Sequence, residues 1–179
     1  MKFDEEKALK ADTGKIVSES GVYNVTIKSA VYKENNNGVR LVEFEFETDN
    51  GEAVNFVKIY VTKRDGSEHF QVNAIHSLMG ILGIKDISVQ NGNIPEFENK
   101  KVKVALQKEE YNKSNGEIGF AMKILHFFHP ETGQTYSEWK NGKEAKTITR
   151  PISDIKVGTG GEKNNSSNKG DDLDDDLPF

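Results

Sequence analysis

Cysteine is absent from all 179 residues. That excludes disulfide staples, thiolate metal sites and thiol nucleophiles together, and it fits a reducing compartment, so the cytoplasm is the expected location. Long apolar runs are missing as well. The longest, Ile75 to Ile84, is broken by His76, Ser77 and Gly80 and is too short to span a bilayer. The opening Met1-Lys2-Phe3-Asp4-Glu5-Glu6 lacks the apolar segment of a signal peptide, so neither export nor a membrane partner is expected. Catalytic signatures are equally scarce. There is no phosphate-cradling Gly-rich loop with its lysine and no nucleophile elbow. Asp12-Thr13-Gly14 matches the aspartic-protease tripeptide but sits between Ala11 and Lys15, with no apolar flanks to bury a carboxylate, and is read as a chance match. His69, His76, His126 and His129 have no third ligand at metal spacing. The reading is therefore a non-enzyme without metal or cofactor.

What is present begins with charge. Hydrophobic residues make up 35% and charged residues 30%, enough for one modest core with solvated chain attached. The formal net charge of −5 is not spread evenly: five of the 29 acidic residues are Asp171, Asp172, Asp174, Asp175 and Asp176, leaving 24 acids to balance 24 Lys and Arg in residues 1–170. The body is neutral, so the acidic balance of the whole chain does not exclude a polyanionic partner.

The pattern divides the chain into a charged arm (1–20, with a short helical stretch expected over Asp4 to Lys10), a β-rich domain (21–157), a Gly/Asn/Ser linker (158–170) expected to be disordered, and an acidic end (171–179). Within the domain, Tyr23, Val25, Ile27 and Val31 mark a first strand; Val42, Phe44 and Phe46 alternate with Glu43, Glu45 and Glu47 in a second; Val57, Ile59 and Val61 share one side of a third. Asn35-Asn36-Asn37-Gly38 and Asp49-Asn50-Gly51 supply the turns. From Ser67, a plausible N-cap, to Gly83, Phe70, Ala74, Ile75, Leu78, Ile81 and Leu82 recur at helical spacing. Lys101 to Gln107 and Gly119 to Phe128 alternate again. Three strands, one helix and two strands is the order of the five-stranded OB-fold barrel, with one helix between strands 3 and 4; a small β-sandwich with one crossover helix fits the same pattern.

Alternation also nominates a binding surface. With Val57, Ile59 and Val61 inward, Phe56, Lys58 and Tyr60 face outward, and Lys63 and Arg64 extend the cationic stretch. Rings beside cations suit single-stranded nucleic acid, whose bases stack and whose phosphates need counter-charge; packing under a loop or at a subunit interface is the structural alternative. The only tryptophan, Trp139, lies in a basic, turn-rich stretch with Lys140 and Lys143, as a stacking residue or a packing anchor. Tyr32, Arg40, Lys101 and Lys123 fall on expected outward positions. Leu41, the outward rings or the edge strands could each join copies into a homo-oligomer.

At the end of the chain, Asp174-Asp175-Asp176-Leu177-Pro178-Phe179 after its polar linker resembles the acidic tip of single-stranded DNA-binding proteins of bacteria and their phages, with Leu177 where the bacterial tip usually has Ile. Gly21-Val22-Tyr23, Asn36-Asn37-Gly38, Leu82-Gly83-Ile84 and Asn99-Lys100-Lys101-Val102 resemble small phage-encoded members, loosely and over roughly residues 20–128; the opening strand motif of the bacterial housekeeping protein is missing. The resemblance implies an OB-fold that coats single-stranded DNA in replication, recombination or repair, in a bacterial host's cytoplasm. It also implies that Asp174, Asp175, Asp176, Leu177, Pro178 and Phe179 recruit partner enzymes. A recombination or annealing accessory, an RNA-binding domain and a phage structural protein are the alternatives.

Overall fold

The structure, a computed structural model, describes residues 2–3 and 14–156. The expected linker, the acidic tip, the helical stretch over Asp4 to Lys10, and Asp12 and Thr13 lie outside the described residues. In chain order come β1 (Gly21–Glu34), β2 (Arg40–Thr48), β3 (Ala53–Tyr60), α1 (Val72–Leu82), β4 (Lys101–Asn112), β5 (Ile118–Phe128), α2 (Tyr136–Lys140) and β6 (Ile155–Lys156). The sheet runs antiparallel along the path β3-β2-β1-β4-β5, and β6 joins β4 in parallel. The chain is mainly β, with its main helix between the third and fourth strands. The sheet has six strands, and its path stays open between β3 and β5.

Alternation drives the core. Val42, Phe44 and Phe46 of β2, Val57 and Ile59 of β3, Val102, Val104 and Leu106 of β4 and Phe127 of β5 are all buried. Each such side chain contributes about 1.5–3 kcal/mol on leaving water. Phe44 of β2 reaches Phe127 of β5 across the interior, ring centroids 6.1 Å apart, so the sheet curls until strands distant along its path share one core. Helix α1 adds Ile75, Leu78 and Ile81 to this cluster. Val17 joins it as well, because Val17 N–H donates to the Ala53 carbonyl and draws the end of the N-terminal arm onto β3.

Three bulges set which side chains face out. In β1 the pairing shifts between Ile27 and Ser29, so one extra residue, Lys28, flips the phase. Ala30 is then buried and Tyr32 packs against the core, where period two had put Val31 inward and Tyr32 outward. In β3, Phe44 pairs with Val57 but Phe46 with Val54, leaving Asn55 and Phe56 together opposite Glu45. In β5, Ala105 pairs with His126 and Leu106 with Ile124, which turns Leu125 outward.

Helix α1 begins at Val72 with Gln71 at its N-cap position, four residues later than expected. Asp65 Oδ1 accepts from the backbone N–H and hydroxyl of Ser67, which holds Ser67 in a turn instead of at a helix cap. His69 N–H donates to the Val61 carbonyl, and Tyr60 N–H to Gln71 Oε1, so the chain stays on β3 until the helix starts. Phe70 is accordingly 69% exposed, off the core face where the helical spacing had placed it. The end matches expectation: Gly83 has φ 69°, and Ile84 N–H returns to the Met79 carbonyl.

Strand β6 exists because β4 outruns β1. Pairing between them ends at Gly21 with Leu106, and the exposed backbone groups of Glu109 and Glu110 are met by Ile155 and Lys156. The chain leading to β6 lies as a strap against the outer side of β1, β4 and β5, where Ile148, Pro151 and Ile152 face Val22, Ala105, Leu125 and His126.

Candidate nucleic-acid interface

The outward row of β3 takes its shape from the bulge. Phe56 has φ 58°, a left-handed conformation that costs a bulky residue about 1–2 kcal/mol, and the residue is 68% exposed, so little burial offsets the cost. Lys58 and Tyr60 follow on the same side, half-buried. At the end of β3 the row becomes a ring cluster. Tyr60 and His69 have centroids 5.7 Å apart, and His69 and Phe70 stack at 4.6 Å. His69 Nδ1 accepts from Gln71 N–H at 3.2 Å, which fixes the imidazole beside the start of α1. The helical spacing that places Phe70 on the core face does not hold here, and neither Phe70 nor His69 is among the binding residues that alternation nominates.

Of the other nominated residues, Lys63 and Arg64 occupy the turn after Tyr60, closed by Gly66 N–H to the Lys63 carbonyl. Hydrogen bonds from the Ser67 hydroxyl and amide hold the neighbouring Asp65 carboxyl below the usual range, and the Lys63 charge adds to this. Arg40 is joined to the same region, its N–H donating to Thr62 Oγ1 and its carbonyl accepting from Val61. Its guanidinium donates to Glu34 at 3.2 Å, and that bond, with Tyr32 nearby, raises its pKa. Lys101 is exposed at the start of β4, and Lys123 on β5 pairs with Glu109 at 3.3 Å. Lys101 lies on β4, which the sheet path separates from β3, whereas β5, which carries Lys123, touches β3 where the curled sheet brings its two ends together. Leu41 is 5% exposed and offers no interface.

The outward side of β2 is acidic. Glu43, Glu45 and Glu47 line it half-buried; Glu43 lies opposite Lys58 and takes Lys33 Nζ at 2.6 Å, while Glu45 accepts from the Ser29 hydroxyl at 3.2 Å. A polyanion laid across this face meets three carboxylates in a row.

The second nominated cluster is helical over Tyr136–Lys140, where Trp139 and Lys140 lie, and turns at Asn141 and Gly142 before Lys143. Thr135 and Glu138 form a capping box: Glu138 N–H donates to Thr135 Oγ1, and Thr135 N–H to Glu138 Oε2. The Thr-x-x-Glu spacing was the sequence signal for it. Trp139 is 45% exposed between His129, at 5.7 Å, and Tyr136, at 6.2 Å, with Lys140 and Lys143 exposed nearby. Tyr136 seats the helix on α1, its ring standing where a Cβ on Gly80 would come within 2.5 Å.

Glu138 also ties down the strap. Its Oε1 accepts from Lys146 N–H, Thr147 N–H and the Thr147 hydroxyl. Desolvation opposes the ionised carboxyl, yet these bonds and that from Thr135 prevail and lower its pKa to about 2. Beneath the strap, burial first and the Arg150 charge second lower the pKa of His126, against the pull of Glu138.

Among the described residues no group of three or more His, Asp or Glu is arranged to hold a metal ion, and no helix is long and apolar enough to cross a membrane. The geometry can offer flat rings and nearby cations to a ligand with exposed bases and phosphates. No protein-family model matches the sequence, and no curated protein matches it either.

Proposed function

We propose that the protein binds single-stranded DNA without strong sequence preference, coating and protecting it during replication, recombination or repair, and that it acts as a binding protein and not an enzyme. The curled sheet with α1 after its third strand is read as an OB-fold whose seam between β3 and β5 is open. Asp174, Asp175, Asp176, Leu177, Pro178 and Phe179 serve as the docking peptide for partner enzymes: an apolar end on an acidic leash suits a basic pocket with an apolar floor.

One observation carries the reading. Phe56 is held in a strained conformation and left in water, followed along β3 by Lys58 and Tyr60 and, beyond the strand, by the rings of His69 and Phe70. Strain without burial is poor structural economy but good preparation for a stacked base, worth roughly 1–3 kcal/mol per ring.

The acidic row on β2 favours a second reading, an annealing or recombination accessory whose body contacts protein. A titration decides between them, using single-stranded DNA, duplex DNA and RNA of equal length at one salt concentration. Single-stranded DNA is expected to bind tightest. Equal affinity for duplex, or a preference for RNA, overturns the DNA reading, and absence of binding to all three favours the accessory.

A further inference from the structure

Resting on the single-strand reading above, we propose that the bound strand leaves the end of β3 and runs along the outward stripe of α1 to Trp139, instead of crossing the outward face of β1 and β2. The helix supplies the stripe. Val72, Ile75, Leu78 and Ile81 are its buried face. Asn73, His76, Ser77 and Gly80 recur at the three- and four-residue spacing that lines one side of a helix, here the opposite side, with Asn73 and His76 exposed.

Both ends of the stripe carry rings. Phe70, stacked on His69, stands just before it. At the far end Gly80 is bare because the Tyr136 ring occupies the space of its missing side chain, and Trp139 follows 6.2 Å from Tyr136. From Val72 to Gly80 the helix rises about 12 Å, a span of roughly three to four stacked nucleotides at about 3.4 Å each.

Charge selects the same route. Residues 69–84 contain no Asp, Glu, Lys or Arg in a chain that is 30% charged. A phosphate backbone crosses α1 without meeting a carboxylate of the helix. Lys63 and Arg64 stand near its entry with the acids Asp65 and Glu68, and Lys140 and Lys143 near its exit with the acids Glu138 and Glu144. Across the sheet the same backbone would pass the carboxylates of Glu43, Glu45 and Glu47, with Lys33 and Lys58 beside Glu43, and like charges at close range repel.

The test uses the full chain, with oligothymidylate as probe. Trp139 is the only tryptophan, so quenching of its emission reports strand arrival at the far end of the stripe, while anisotropy of a labelled oligonucleotide reports affinity. Asn73→Glu and His76→Glu place carboxylates on exposed helix positions that accept glutamate, so helical circular dichroism is expected to stay unchanged. Each is expected to weaken binding about tenfold and to reduce Trp139 quenching, whereas Glu45→Gln on the sheet face should leave affinity within about twofold. If both helix variants bind and quench like the unaltered chain, the route over α1 is wrong while the single-strand reading stands. If the unaltered chain does not bind oligothymidylate, that reading falls and the route with it.

Discussion

Phe56 separates a residue kept for folding from one kept for binding, because the two roles predict opposite responses to one substitution. Phe56→Gly removes the ring and also the left-handed strain, since glycine adopts φ near 58° without a Cβ clash. The folded domain is expected to be as stable as before or up to about 1 kcal/mol more stable in urea melts, while affinity for single-stranded DNA falls several-fold. A destabilised variant with unchanged affinity would return Phe56 to a structural role. Alternation alone was enough to turn Phe56, Lys58 and Tyr60 outward, because Val57 and Ile59 fix the phase of the strand. The bulge was not readable, since Asn55-Phe56 carries none of the glycine that usually marks one. Phe70 was misplaced for a related reason: an aromatic four residues before Ala74 fits helical spacing, and only the hydrogen bond from His69 back to Val61 shows that the chain has not yet left the strand.

Among elements, those with many repeats of one period were legible and those held by single side chains were not. Strands β1 to β5 and helix α1 announce themselves by periodicity bounded by Asn-Gly and Gly signals. Helix α2 has five residues, too few for a period, and β6 has two; both depend on contacts far away in sequence. Glu138 is the main such contact, which makes α2 and the strap pH-dependent in a definite direction. Its carboxyl pKa is depressed to about 2 in the folded protein, so its stabilising effect is fully present above the ordinary carboxylate range and is lost as pH falls through about 2. Protection of the Lys146 and Thr147 amides from hydrogen exchange is expected to decline across that window. Glu138→Gln should show reduced protection already at neutral pH, because one amide oxygen cannot serve both the Thr135 side and the Thr147 side. Equal protection in the variant and the unaltered chain at neutral pH would show that something else holds the strap.

At the scale of the whole molecule the decisive quantity is where charge resides, not its sum. On the proposed function, a body with 24 acids and 24 bases meets its polyanion through local clusters, and the five aspartates of residues 171–179 are an equally local anion. For single strands, log K is expected to fall by about 0.7 per neutralised phosphate as log salt rises, so a modest contact set gives a shallow but measurable slope. On the same proposal, the acidic end is expected to compete with DNA for the same cations at an effective concentration set by the length of chain that joins it to the body and not by the protein's concentration in solution. Removing residues 171–179 should therefore tighten binding to oligothymidylate at low salt, and the gain should shrink as salt screens both competitors. The same truncation should abolish capture of partner enzymes, since it removes Leu177, Pro178 and Phe179 together with their acidic leash. Anisotropy titrations of the full and shortened chains at two salt concentrations measure the first effect. Weaker binding by a shortened chain with an unchanged melting temperature would mean that the tail supports the DNA surface instead of competing for it.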